Sequence, residues 1–182
     1  MSITIAKWTI EQYHKLVNAG MLLDRRVELL SGDIIEISPE GMSHAVYCGD
    51  AVDYLKQLMG DRAKVREAHP ITLPNDSEPA PDIAVVMLAQ NRYLDHHPYP
   101  EDIFLLIEYA DSTLTKDLNT KQRIYAQAGI LEYWIVNLQA SELIIFRQAN
   151  SAGYETETRL ATGNISPLSF PDIDIEVRRL FS

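Results

Sequence analysis

Two unbroken apolar runs constrain this chain most: Ile83-Ala84-Val85-Val86-Met87-Leu88 and Ile103-Phe104-Leu105-Leu106-Ile107. Both are too short to cross a membrane as a helix, and their lack of alternation suits strands covered on both faces. Each run also carries a carboxylate at one end. Asp82 precedes the first and Glu108 terminates the second.

Helical patterns separate the strand patterns. Thr9 to Ala19 reads as a helix with Thr9 as N-cap, Gln12 completing a capping box and Gly20 as its stop. VELL (Val27 to Leu30) and DIIEIS (Asp33 to Ser38) form a hairpin pattern around Ser31-Gly32. A helix is expected from about Ser43 to Met59, then strands at Ala63 to Glu67 and His69 to Leu73, with a loop from Asn75 to Pro81. After Glu108 come a helix from about Thr115 to Ala128 and strands at Tyr133 to Val136, Leu143 to Arg147 and near Tyr154 to Thr158. Ile173, Ile175, Val177, Leu180 and Phe181 should dock back on the body. Interleaved strands and helices predict an α/β fold with a mixed sheet flanked by helices, over residues 1–182 as one domain.

With a single cysteine, Cys48, the chain has neither an intrachain disulfide nor a structural zinc motif. The first twenty residues lack a signal-peptide pattern and no apolar run reaches membrane-spanning length, so a cytoplasmic protein with no membrane partner is expected. Sixteen basic against twenty-six acidic residues give a formal charge of −10, which opposes non-specific attraction to a phosphate backbone. Acids gathered around a bound cation offset part of that charge.

A carboxylate beside a buried strand needs a partner, because burying an unpaired charge costs several kcal/mol. A metal ion would supply one to Glu108; a strand-end glutamate that reaches water fits the same pattern. Asp82 equally suits an Asx-turn. On the expected helix, Leu114, Leu118, Lys121, Tyr125 and Ala128 form one inward stripe. Lys121 in that stripe either meets an acid or escapes, by snorkelling to water or pairing with Asp117 four residues before it. Two oxygen donors on adjacent strands and an ammonium from the next helix are the parts of a Mg²⁺ or Mn²⁺ site for phosphodiester hydrolysis.

The blocks VELLSGDIIEISPEGMSHA (Val27 to Ala45), APDIAVV (Ala80 to Val86) and LLIEYADSTLTKDLNTKQRIYAQAGILEYWIVNL (Leu105 to Leu138), with a final strand ending at Arg147, resemble the PD-(D/E)XK nuclease superfamily. They are closest to its Uma-two branch of small restriction endonucleases. The resemblance implies a restriction-endonuclease-like core, with Asp82 and Glu108 as metal ligands and Lys121 as the catalytic lysine. Glu28 matches the upstream acid that assists metal binding, although a hairpin residue between Val27 and Leu29 also suits an exposed face. His44 lies where the branch often carries a histidine; a solvated or capping side chain fits as well. The superfamily's plain pattern puts its lysine two residues after the second acid, where this chain has Ala110. Lys121 on the following helix restores the charge.

The leading expectation is a Mg²⁺- or Mn²⁺-dependent DNA endonuclease acting as a homodimer, by analogy with enzymes that cut both strands. The alternative is a catalytically inactive nuclease-fold domain serving as a nucleic-acid or protein interaction module, which the acidic charge favours. A metal site at His96-His97 is disfavoured, since adjacent histidines on an extended loop point apart and lack a third ligand.

Overall fold

A computed structural model of the chain describes residues 4–88, 92–111 and 114–182. Its centre is a six-stranded sheet in the order β3-β4-β5-β6-β7-β8. The strands are β3 (Lys64–Glu67), β4 (Ile83–Val86), β5 (Ile103–Ala110), β6 (Glu132–Asn137), β7 (Glu142–Asn150) and β8 (Gly153–Leu160). Neighbours are antiparallel except β5 and β6, so the sheet is mixed. All four residues of β4 and all six of β6 are buried, which accounts for their lack of alternation.

Two clusters of buried side chains cover the faces of this sheet. Against one lie α2 (Met42–Met59), through Val52, Leu55 and Met59, and the C-terminal segment, through Ile173, Ile175, Val177 and Leu180. Against the other lie Ile71 and Leu73 and the helical segment after β5, through Ile124 and Tyr125. That segment is not the single regular helix expected from the sequence. It consists of α3 (Leu114–Lys116), a π-helical turn (Asp117–Lys121) and α4 (Gln122–Gln127).

The start of the chain follows its local signals. In α1 (Ile10–Asn18) the Thr9 hydroxyl accepts the Gln12 N–H and the Gln12 side chain accepts the Thr9 N–H. The hairpin of β1 (Val27–Leu30) and β2 (Asp33–Glu36) turns through Ser31 at φ 49° and Gly32 at φ 78°, left-handed at both centres as a tight hairpin requires. It docks on the loop before β4, with the Glu78 N–H donating to the Leu29 carbonyl at 2.7 Å.

His69 to Leu73 does not form the expected strand. The N–H groups of Ile71, Thr72 and Leu73 donate to Pro79, Pro98 and Ser77 in loops. Pro70 and Pro74 interrupt any ladder here, since proline has no N–H to give. Among the described residues, no helix is long and apolar enough to cross a membrane.

Candidate active site

The β4–β5 register decides the site. Ile83 pairs with Ile107, so Asp82, just before β4, and Glu108, within β5, arrive at the same end of neighbouring strands. Asp82 accepts the Tyr109 N–H on Oδ2 at 2.6 Å, which fixes the carboxylate across the gap between the strands. Both acids line a cavity of about 280 Å³ with Glu28, His44, Lys116 and Lys121.

Glu108 is buried, and a single oxygen takes its bonds: Oε1 accepts from Lys121 Nζ at 2.8 Å and from the Tyr125 hydroxyl at 2.7 Å. Glu108 is also one of the residues that line the cavity. Burial pushes the Glu108 carboxyl up to about 8; the charges of Asp82, Asp117 and Glu28 act the same way and the Lys121 ammonium acts against them. Burial alone would lower Lys121, but attraction from Glu108, Glu28 and Asp117 outweighs it and raises the lysine above its ordinary value. Lys121 therefore stays charged inside the protein. The snorkelling alternative is excluded, because its side chain is only 5% exposed.

Glu28 is not on an exposed face. Glu28, Leu29 and Leu30 are all buried, so the hairpin's first strand does not alternate. Its Oε1 accepts the Ala80 N–H at 3.0 Å and pairs with the Lys121 ammonium 3.1 Å away, while its Oε2 accepts from Lys116 Nζ at 3.1 Å. Burial alone would raise Glu28, yet the two lysines and the Ala80 N–H hold it below the usual carboxylate value.

His44, in the first turn of α2, is neither solvated nor a cap. Its Nε2 lies 3.1 Å from Asp82 Oδ1, an ion-pair distance without the directional geometry of a hydrogen bond. Burial lowers its pKa, but Asp82 first, then Glu40 and Asp117, raise it above the ordinary histidine value. His96 and His97 lie elsewhere: His96 stacks on Tyr99 at 4.5 Å and its Nδ1 is 2.7 Å from the His97 carbonyl oxygen.

The π turn was not legible in the sequence. In an α-helix, residues five apart project about 140° from each other. Here the Gln122 N–H reaches back to the Asp117 carbonyl, and the wider closure narrows the angle between Lys116 and Lys121, whose ammonium groups both reach Glu28. Sequence spacing therefore missed Lys116 as a member of the site and placed Tyr125 only as core. The signal for Tyr125 was its position in the inward stripe four residues after Lys121; Lys116 had none.

The cavity's donor set can be weighed against a divalent cation. Six carboxylates (Glu28, Glu40, Asp82, Glu108, Asp111 and Asp117) line it, against three cationic side chains (Arg26, Lys116 and Lys121). Hard oxygen donors in an acidic trough suit Mg²⁺ or Mn²⁺. Among the described residues, no group of three or more His, Cys, Asp or Glu side chains is placed to hold a metal ion. An ion held by two carboxylates would keep several waters, as Mg²⁺ does.

A sequence profile of the Uma-two (Uma2) family, described as "Putative restriction endonuclease", matches residues 10–178. The chain belongs to this family. Among solved structures, it resembles the crystal structure of a "putative nuclease" from Anabaena variabilis ATCC 29413, with a TM-score of 0.73. The two are 15% identical, over 95% of this chain and 97% of the other, a likeness of fold. No curated protein matches the sequence significantly. The Uma2 resemblance and the α/β mixed sheet expected from the sequence both hold.

Proposed function

We propose that this Uma2 protein is a divalent-metal-dependent endonuclease that hydrolyses DNA phosphodiester bonds in the cavity between β4, β5 and the π turn. The observation that carries this reading is the meeting of three separately encoded side chains, with Lys121 Nζ 2.8 Å from Glu108 Oε1 and Asp82 fixed to the next residue's N–H. Asp82 and Glu108 would hold Mg²⁺ or Mn²⁺. When bound, the ion would acidify a water and offset charge on the phosphoryl group.

The chain's own groups do the rest. Tyr125 and Lys121 both bond Glu108 Oε1, which holds the carboxylate in place. An ammonium has three N–H donors; Lys121 donates one to Glu108 and stands at ion-pair distance from Glu28. A remaining donor would hold the attacking water or a phosphoryl oxygen as charge develops. Glu28 was expected as an auxiliary metal ligand. We assign it to holding lysines instead, because each of its oxygens is already paired with one of them.

The net charge of −10 supports a second reading, a nuclease-fold domain that has lost catalysis and binds a partner. One experiment separates the two: purified protein incubated with supercoiled and single-stranded DNA plus Mg²⁺ or Mn²⁺, beside Asp82→Ala and Lys121→Ala. Cleavage by wild type that both variants lose supports the endonuclease. Equal inertness of all three across both metals sinks it and leaves the inactive domain.

A further inference from the structure

Lys116 and Lys121 meet on opposite oxygens of one buried carboxylate, but they are not equivalent. Lys121 is 5% exposed, donates to Glu108 and pairs with Glu28 at 3.1 Å. Lys116 lines the same cavity at 28% exposure and makes its bond to Glu28 alone, at 3.1 Å to Oε2. Arg26, the remaining cationic side chain of the cavity, is 59% exposed and pairs with Glu40 at 2.9 Å.

An anionic strand entering this trough meets an excess of carboxylates and therefore needs a cation with donors to spare. Lys116 meets that need. It has three N–H donors and commits one of them to Glu28. Its ammonium is also held in place, since Glu28 is itself fixed by Lys121 and by the Ala80 N–H. A lysine already anchored loses less freedom on meeting a phosphate than one waving in solvent. The π turn is what allows this, because a regular helix would turn Lys116 away from Lys121.

We propose that Lys116 is the residue that grips the nucleic-acid backbone beside the reacting phosphate, and that Glu28 is the positioning residue that clamps Lys116 and Lys121 together. The division of labour rests on the nuclease reading above: Lys121 serves the reacting phosphoryl group and Lys116 serves the strand.

The test is fluorescence anisotropy of a labelled single-stranded DNA oligonucleotide in Ca²⁺, which supports binding without turnover, over a series of salt concentrations. Lys116→Gln keeps a donor for Glu28 and removes only the charge, so circular dichroism and Mn²⁺ affinity should match wild type. The expected result is binding weakened about tenfold, with the log–log salt slope reduced by about 0.7, the value for one lost contact to a single strand. Lys116→Arg should restore both. Glu28→Gln should weaken binding as Lys116→Gln does and also lower the single-turnover rate, because both lysines lose their clamp. Wild-type affinity and slope in Lys116→Gln would overturn the assignment of Lys116, and an unchanged Glu28→Gln would overturn the clamp. If wild type cleaves DNA while Lys116→Gln binds normally, this inference alone fails. If wild type neither binds nor cleaves, the nuclease reading fails and takes this inference with it.

Discussion

Two buried glutamates on neighbouring strands behave very differently. Glu132, at the start of β6, is saturated: Oε1 accepts from Trp134 Nε1 at 2.9 Å and Arg147 Nε at 2.7 Å, and Oε2 accepts the Leu168 N–H at 2.7 Å. Arg147 also donates to the Ser166 carbonyl, so the cluster bolts the C-terminal segment to the sheet. Glu108, on β5, takes its two bonds on one oxygen and lines a cavity. A buried charge that is fully bonded holds structure together. One bonded on a single oxygen beside other acids is a candidate for binding and chemistry.

The comparison can be broken by exchanging the roles. Glu132→Ala leaves Arg147 without its carboxylate inside the protein and should cost about 3–5 kcal/mol in urea unfolding, the usual loss on breaking a buried ion pair. A melt close to wild type would show that Glu132 is not a bolt. Lys121→Ala should lower single-turnover cleavage by about 10²–10³-fold, the scale of losing one preorganised transition-state donor. Its Mn²⁺ affinity, read by titration calorimetry, should not fall with the rate. A parallel collapse in metal binding would make Lys121 a support for the carboxylates and not a participant.

The pH dependence sharpens the contrast. Glu108 has its pKa raised from 4.5 to about 8 in the folded chain, so its contribution to stability is full below 4.5 and is lost as pH rises toward 8. Metal binding runs the opposite way, because the proton must leave first. Mn²⁺ affinity should climb by roughly tenfold per pH unit up to about 8 and level off above it, with one proton released per ion. Glu108→Gln should bind weakly at every pH. A flat wild-type profile from pH 6 to 8 would contradict a protonated Glu108. The smallest effect is expected for Tyr125→Phe, which removes one bond to Glu108 Oε1 and should cost about 1 kcal/mol of stability. A loss as large as that of Glu132→Ala would place Tyr125 among the structural bolts.

Much of this was readable in one dimension. The capping box at Thr9 and Gln12, the Ser31-Gly32 turn and the continuous strands at Ile83 and Ile103 all rest on local rules of hydrogen bonding, backbone conformation and burial. So does the inward stripe that placed Lys121 and Tyr125 together. The long third block of the family resemblance was equally legible, and the Uma2 match bears it out. His69 to Leu73 failed as a strand because Pro70 and Pro74 have no N–H for a ladder and the intervening N–H groups go to loop carbonyls.

What the sequence by itself determined, then, is which segments become buried strands and helices and which acids and lysine stand at their ends, because these depend on neighbours a few residues away. Only the tertiary structure decided that Glu28 turns inward to join two lysines, that His44 leans on Asp82, and that a π turn brings Lys116 round to Lys121. Each depends on how a hairpin, a helix start and a strand end are packed against one another. Charge pairing across such distances is settled by where burial leaves an ion short of partners, which no local pattern encodes.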